Sequence, residues 1–300
     1  MFRKIILTLL YSILFVSGVQ PAMAGTVLEN VARSGKLTVG TSFDLVPYAY
    51  YNQEGELDGF AIEISKVIQK ELEKELGKSI ELEFVEVDGI KDAIPKMINN
   101  EIDLACNTVF TWQRDQFVDF TMRYSISGIR LLTPKGEISA NDSLAGKKIA
   151  IPPLTFVKDA VKLAHPNAEY VEIKSIEEAM TMLKEGKVDA LAGDSFILDG
   201  ISQQNGADSY EFYPSMDQSS YATYGVACMV PENNSTFLNI ANYGIAKMME
   251  GYLVGDAETV KKIDKWIGSD GVITIIDSDD VKSFYQNTIN LHEQIPFTSE

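Results

Sequence analysis

Residues 99–108, NNEIDLACNT, and residues 185–195, EGKVDALAGDS, share one grammar. Each runs from a polar helix end through a β-branched residue and an aspartate into a short apolar strand that finishes on polar residues. The match extends outward. Before the first copy, LTVGTS (37–42) alternates as a strand, and Phe60, Ile64, Val67, Ile68, Leu72 and Leu76 recur at helical spacing up to a capping Gly77. IELEFVEV (80–87) is then a strand. Ile90–Asn99 is a helix in which Pro95 is tolerable only near the first turn or as a kink. The first copy supplies a strand over IDLACN (102–107). Before the second copy, KKIAIP (147–152) is a strand, Phe156–Leu163 a helix and AEYVEIK (168–174) a strand. Ser175 and Glu178 form a capping box opening a helix through Lys184. Two βαβαβ units of this kind predict two similar α/β lobes.

The chain then offers a strand over YATYGVACMV (221–230), two helices over NNSTFLNIANYGIAKMMEGYL and ETVKKIDKWIG, and a tail of mixed character from Ser269. A return to the first lobe here makes two connections between the lobes, which is a hinge with a cleft beside it. Ligands of open parallel sheets sit at the carboxyl ends of strands. Those ends are Thr41-Ser42, Asn107-Thr108, Pro152-Pro153 and Gly193-Asp194.

Composition narrows the function. The 300 residues are 45% hydrophobic and 23% charged, an ordinary globular balance. Arg3-Lys4, the apolar run IILTLLYSILFV (5–16) and Ala22-Met23-Ala24 read as a secretory signal peptide cut after Ala24. Twelve apolar residues are too few for a span of about 30 Å of hydrocarbon. No cysteine follows the cleavage site to carry a lipid. Loss of Arg3 and Lys4 moves the net charge from −17 to −19. Nucleic acid and anionic membrane surfaces are disfavoured, and an anionic ligand needs a local cation. His165 and His292 have no ligand-spaced companions, and there is no phosphate loop or serine elbow. We expect no metal, no cofactor and no catalytic residue. Cys106 and Cys228 read equally as an exported disulfide or as two small buried hydrophobes.

Arg114 follows the strand of the first copy by a short loop, and its planar fork fits a carboxylate. Thr155 opens a helix whose free N–H groups favour an anion. Asp194 offers the opposite charge. A cation and an anion facing one cleft describe a zwitterion, an α-amino acid. Each residue also has a plainer reading: Arg114 as a solvated charge, Asp194 as a helix N-cap, Phe60 as the start of the α-helical stripe, and Phe110 and Trp112 as packing aromatics. Asp103 and Asp189 precede their strands and read as structural. Met248, Met249 and Tyr252 read as core.

Six ordered motifs carry a resemblance: KLTVGTSFDLVPYAYYNQEGELDGFAIEISKVI (36–68), IDLACNTVFTWQRDQFVDFT (102–121), LAGKKIAIPPLT (144–155), GKVDALAGDSFILDG (186–200), YGVACMV (224–230) and KWIG (265–268). Together they resemble the family 3 extracellular solute-binding proteins, the periplasmic amino-acid receptors of ABC importers, on the side of the polar and acidic receptors. The resemblance implies a type II periplasmic-binding-protein-like α/β fold with two lobes joined by a two-strand hinge. Lobe 1 is then 25–124 with 225–300 and lobe 2 is 129–219, with hinge strands near 124–128 and 220–224. It further implies a soluble monomer that captures a small amino acid and docks on a membrane permease. Residue by residue, it implies Arg114 on the ligand α-carboxylate and Asp194 on the α-ammonium. Phe60 packs on the ligand, Thr155 sits at an anion turn, and Asn107, Val109 and Thr108 contribute nearby contacts. Ser42 stands where the family has an acid or arginine, Leu45 replaces a second aromatic wall, and the anion turn lacks its glycine in Pro153-Leu154-Thr155-Phe156. These departures point to a polar neutral ligand. The rivals are an exported cyclohexadienyl-type dehydratase, which needs an acid/base pair such as Lys158 and Glu172, and a soluble sensor for a membrane receptor.

Overall fold

A computed structural model describes residues 25–138, 144–268 and 271–293. The expected leader and its cleavage point lie outside the described residues.

The first lobe opens with α1 (Val27–Ser34) and β1 (Lys36–Thr41). Thr26 and Glu29 form a reciprocal capping box on α1, and Gly35 ends it in the left-handed conformation. A small antiparallel sheet follows, β2 (Asp44–Leu45), β3 (Ala49–Tyr51) and β4 (Leu57–Asp58). Then come α2 (Phe60–Leu76), β5 (Glu81–Glu86), α3 (Gly89–Ile98), β6 (Ala105–Val109) and β7 (Val118–Phe120). α2 begins where it does because Gly59 lies at φ 143, against the Tyr48 backbone: a Cβ there would sit 2.1 Å from the Tyr48 carbonyl oxygen. Its inner face buries Phe60, Ile64, Ile68 and Leu72, and Gly77 caps it at φ 63. Pro95 sits inside α3 rather than in its first turn. The helix tolerates the missing N–H because it is short and anchored by buried Ala93 and Met97 on either side.

β8 (Ser125–Pro134) leads out of this lobe. The second lobe contains β9 (Lys148–Ile151), α4 (Thr155–Ala164), β10 (Glu169–Glu172), α5 (Ile176–Lys184), β11 (Ala190–Asp194), α6 (Ser195–Gln204) and, after one 3-10 turn, β12 (Tyr210–Tyr213). At α5 the Ser175 hydroxyl accepts the Glu178 N–H, but the Glu178 carboxylate turns to the Lys174 N–H, one residue before a reciprocal box. β13 (Thr223–Pro231) leads back to α7 (Ser235–Leu253), α8 (Ala257–Asp264) and α9 (Ser278–Glu293).

β1 and β5 pair in parallel, and β6 joins beside β1 through a Val39–Leu104 bridge. In the second lobe β10, β9 and β11 are parallel, and β8 and β12 complete the sheet antiparallel. The amino half of β8 pairs with β13, from Thr223↔Gly128 to Val226↔Ser125. Two antiparallel strands therefore carry the chain between the lobes. They approach closely at Gly128, where a Cβ would meet the Ser220 hydroxyl at 2.6 Å.

The repeated grammar has a repeated physical job. Asp103 accepts the Thr38 N–H at 2.9 Å and ties β6 to β1. Asp189 accepts the Lys148 N–H at 2.7 Å and ties β11 to β9. Each lobe has cores of its own, with Phe196 of α6 reaching from the second lobe into the core of the first. One gathers Leu37, Phe60, Ile68, Phe237, Met249 and Trp266, and the other Ile129, Ile149, Val161, Ala190, Leu183 and Leu198. Of the expected tail, the described residues 271–293 are held against the first lobe. α9 packs on α7 and buries Val281, Tyr285 and Ile289 in the first core.

Candidate functional site

The site is built at the carboxyl end of β6. Cys106 on β6 and Cys228 on β13 face each other and are joined by a disulfide. Immediately beyond, the register slips: Thr108 pairs with Ala227, and Asn107 is the extra residue. Asn107 takes φ 68, and its N–H turns from the ladder to the Tyr124 hydroxyl at 2.9 Å. The bulge re-aims the strand end at which Thr108 and Val109 lie.

Arg114 occupies the turn that follows. Its side chain is half-buried. One guanidinium nitrogen donates to the Val109 carbonyl at 2.7 Å and to the Thr108 hydroxyl at 3.4 Å. Burial lowers its pKa, yet an arginine stays charged throughout the physiological range. Among the described residues no carboxylate lies within ion-pair distance of it, although the chain carries 43 acidic residues. The remaining donors of its fork have no described partner.

Asp194 ends β11 and caps α6. One oxygen accepts the Phe196 and Ile197 N–H groups at 2.9 and 3.1 Å, and the other accepts the Tyr224 hydroxyl at 2.5 Å. Burial raises its pKa, against the lowering effect of these hydrogen bonds. The N-cap reading of Asp194 is therefore met. Ser127 acts on this carboxylate as a further side-chain donor. Its charge is felt by Tyr124, which also holds Asn107, so the two ends of the expected clamp share a neighbour.

The other expected residues are placed as follows. Ser42, just beyond β1, has a buried hydroxyl with no described partner. Leu45 on β2 packs on the first core. Phe60 is fully buried and meets the Tyr124 ring edge-on at 5.4 Å. Thr108 is buried beside Arg114. Thr155 opens α4, whose N-cap is Leu154 with no side-chain cap. Trp112 is 73% exposed and therefore not core, and Phe110 meets the Trp112 and Phe120 rings edge-on. Lys158 and Glu172, the only acid/base pair considered for a dehydratase, bind each other at 2.5 Å, with the Glu172 side chain 64% exposed. The Lys158 hydrogen bond lowers the Glu172 pKa, the wrong direction for a proton donor.

Sequence reading missed three residues. Tyr224 reads only as part of a strand, and Tyr124 lies in the short loop before β8. Arg130, buried on β8, donates to the carbonyls of Pro214, Ser215 and Gln218 at 2.7, 2.9 and 2.8 Å and fixes the segment that enters the returning strand. An arginine inside the run SISGIRLLTP is the signal that could have found it. Among the described residues, no group of His, Cys, Asp or Glu could hold a metal ion, and no helix is long and apolar enough to cross a membrane.

Two α/β lobes joined by two strands define a type II solute-binding architecture. Residues 37–269 match the model of the bacterial extracellular solute-binding proteins, family 3, and the chain belongs to that family. A glutamine-binding protein of Geobacillus stearothermophilus is 33% identical over 61% of this chain and 70% of its own length. The ABC transporter glutamine-binding protein GlnH of Bacillus subtilis (strain 168) is 30% identical over 81% of this chain and 85% of its own. Among solved structures, an ancestral arginine-binding protein bound to glutamine superimposes with a TM-score of 0.64 at 25% identity, covering 78% of this chain and 98% of that one.

Proposed function

We propose that this solute-binding protein captures one small polar amino acid between its lobes and hands it to the permease of an ABC-type importer. The observation that carries this reading is the Arg114 guanidinium. It is half-buried, held by the Val109 carbonyl, and without a carboxylate among the described residues of a strongly acidic chain. A desolvated cation left unpaired is costly, and a ligand carboxylate is the group that offsets it. Arg114 takes the α-carboxylate, with Thr108, Val109 and Asn107 shaping the strand end. Asp194 takes the α-ammonium. Phe60 acts through the Tyr124 ring, Thr155 through the uncapped start of α4, and Ser42 and Leu45 border the ligand side chain. Ser42 supplies a hydroxyl and no charge, which favours a neutral polar side chain. The glutamine named in two relatives and one solved neighbour is of this kind.

Lobe 1 comprises 25–124 and 225–300 and lobe 2 comprises 129–219 in this reading, with residues 124–128 and 220–224 as the hinge. A ligand that bridges Arg114 and Asp194 binds the closed arrangement better than the open one, and that difference drives closure. The protein makes no bond in this reading. It works outside the cytoplasm as a monomer, after cleavage at Ala24.

A thermal-shift screen of the protein lacking residues 1–24 against the twenty common amino acids tests the reading. A polar neutral amino acid at 100-fold over its Kd stabilises by about 2.7 kcal/mol through mass action. A flat profile at millimolar concentration across the whole set contradicts it.

A further inference from the structure

The residues beyond the family match, which ends at 269, build a third link between the lobes. From Trp266 and Ile267 in the first core, the chain runs through 271–277 to the side of α6 and then returns through α9 to the first core. α6 itself is mounted on the second lobe, where Leu198 and Ile201 join the core of α5 and β11.

On α6, Asp199 is only 2% exposed. Its Oδ2 accepts the Thr274 N–H at 2.7 Å, and its two oxygens lie 3.4 and 3.3 Å from the Thr274 hydroxyl. The Gln203 side-chain amide donates to the same hydroxyl at 3.2 Å and to Asp199 Oδ1 at 3.4 Å. No cation pairs with Asp199 among the described residues. The donors around this buried carboxylate come from the 271–277 segment and from α6. Next to Asp199, Gly200 lies so close to the β2–β3 turn of lobe 1 that a Cβ would sit 2.8 Å from Val46 Cγ1. α6 is thus shared: Leu198 and Ile201 face the core of lobe 2, while Phe196 and Ile197 at its start face the core of lobe 1, and Asp199 and Gly200 meet lobe 1 beyond that core.

We propose that Asp199 and Thr274 form an interlobe latch: the segment 271–277 clips lobe 1 to α6 and restricts the opening that β8 and β13 alone would permit. A hinge of two strands leaves the lobes free to rotate, whereas a third tether far along the chain limits the amplitude. Shifting the unliganded population toward the latched arrangement would raise apparent ligand affinity, because the competent fraction multiplies the intrinsic constant.

The test needs no ligand and so stands apart from the amino-acid reading. Spin labels on Glu101→Cys and Leu163→Cys, at exposed positions on lobe 1 and lobe 2, report the lobe-to-lobe distance in the full chain by pulsed electron paramagnetic resonance. The distance distribution of the otherwise native protein is expected to be narrow. Asp199→Ala is expected to widen it at least twofold and add a longer component, while Asp199→Asn, whose carbonyl can still accept the Thr274 N–H, keeps it narrow. A folded Asp199→Ala protein whose distribution superimposes on the native one overturns the latch. Should Asp199→Ala not fold, Thr274→Pro decides by the same criterion, since it keeps the buried carboxylate but removes both the Thr274 N–H and the hydroxyl that it accepts from. Broadening supports the latch and an unchanged distribution overturns it.

Discussion

Removing the Cys106–Cys228 disulfide should weaken both the fold and the site, in a measurable order. The bond closes a loop with a sequence separation of 122. Loop-closure entropy for that length is worth about 5 kcal/mol at 25 °C, and disulfides typically deliver about 2–4 kcal/mol. For a chain of this size that corresponds to a Tm drop of roughly 3–7 °C. The double variant Cys106→Ala/Cys228→Ala should therefore melt within that range below the native protein, by circular dichroism without reductant. A strong reductant should bring the native Tm down toward that of the variant and leave the variant unmoved. The disulfide also flanks the bulge at Asn107, so amino-acid affinity should fall several-fold in the folded variant. A Tm within 1 °C of native under oxidising conditions would refute the claim that this cross-strand bond holds β6 to β13.

Tyr224→Phe removes the hydroxyl that orients Asp194; a hydrogen bond to a charged group is worth about 1.5–3 kcal/mol, so calorimetry should show binding weakened roughly tenfold with secondary structure intact. Arg130→Lys cannot span the Pro214, Ser215 and Gln218 carbonyls together, and denaturant unfolding should show a loss of about 1–3 kcal/mol without direct loss of a ligand contact. Acidification should separate binding from stability. Burial raises the Asp194 pKa, so between its ordinary and raised values the native state holds more protons than the unfolded chain. This carboxyl's contribution to stability therefore grows as pH falls through the raised value, while the charged form needed for an ammonium disappears. Glu71, where the Lys74 and Lys247 bonds outweigh burial, has the opposite sign and is lost only below the ordinary glutamate range. Affinity should decline at a higher pH than Tm does, and a parallel decline in titrations of the two would contradict this.

Much of the fold was legible because its signals are local. α2 spans Phe60–Leu76, the stretch whose apolar spacing and Gly77 stop announce it. The paired strand-end grammar marked the lobes because Asp103 and Asp189 serve the same backbone tie in each. The expected strand over 102–107 lies at 105–109 instead, since a bulge at Asn107 carries pairing onward and only the partner strand reveals a bulge. The tail looked mixed because α9 buries one narrow stripe, Val281, Tyr285 and Ile289, while Leu291 lies exposed among mostly polar residues. Tyr224 and Tyr124 were missed for a related reason. Tyr224 is one tyrosine in a strand and Tyr124 one in the loop before β8, and the role of each comes from a hydrogen bond to a residue 30 or 17 positions away. The latch at Asp199 is less legible still, since Thr274 offers mainly a backbone N–H, which every residue but proline has.

The central claim rests on Arg114, and calorimetric titration of Arg114→Ala with the amino acid that stabilises the native protein tests it most directly. Loss of a charge-assisted contact to the ligand carboxylate should weaken binding by at least tenfold, with Tm in the absence of ligand held close to native. Native affinity in a folded Arg114→Ala protein would contradict the account.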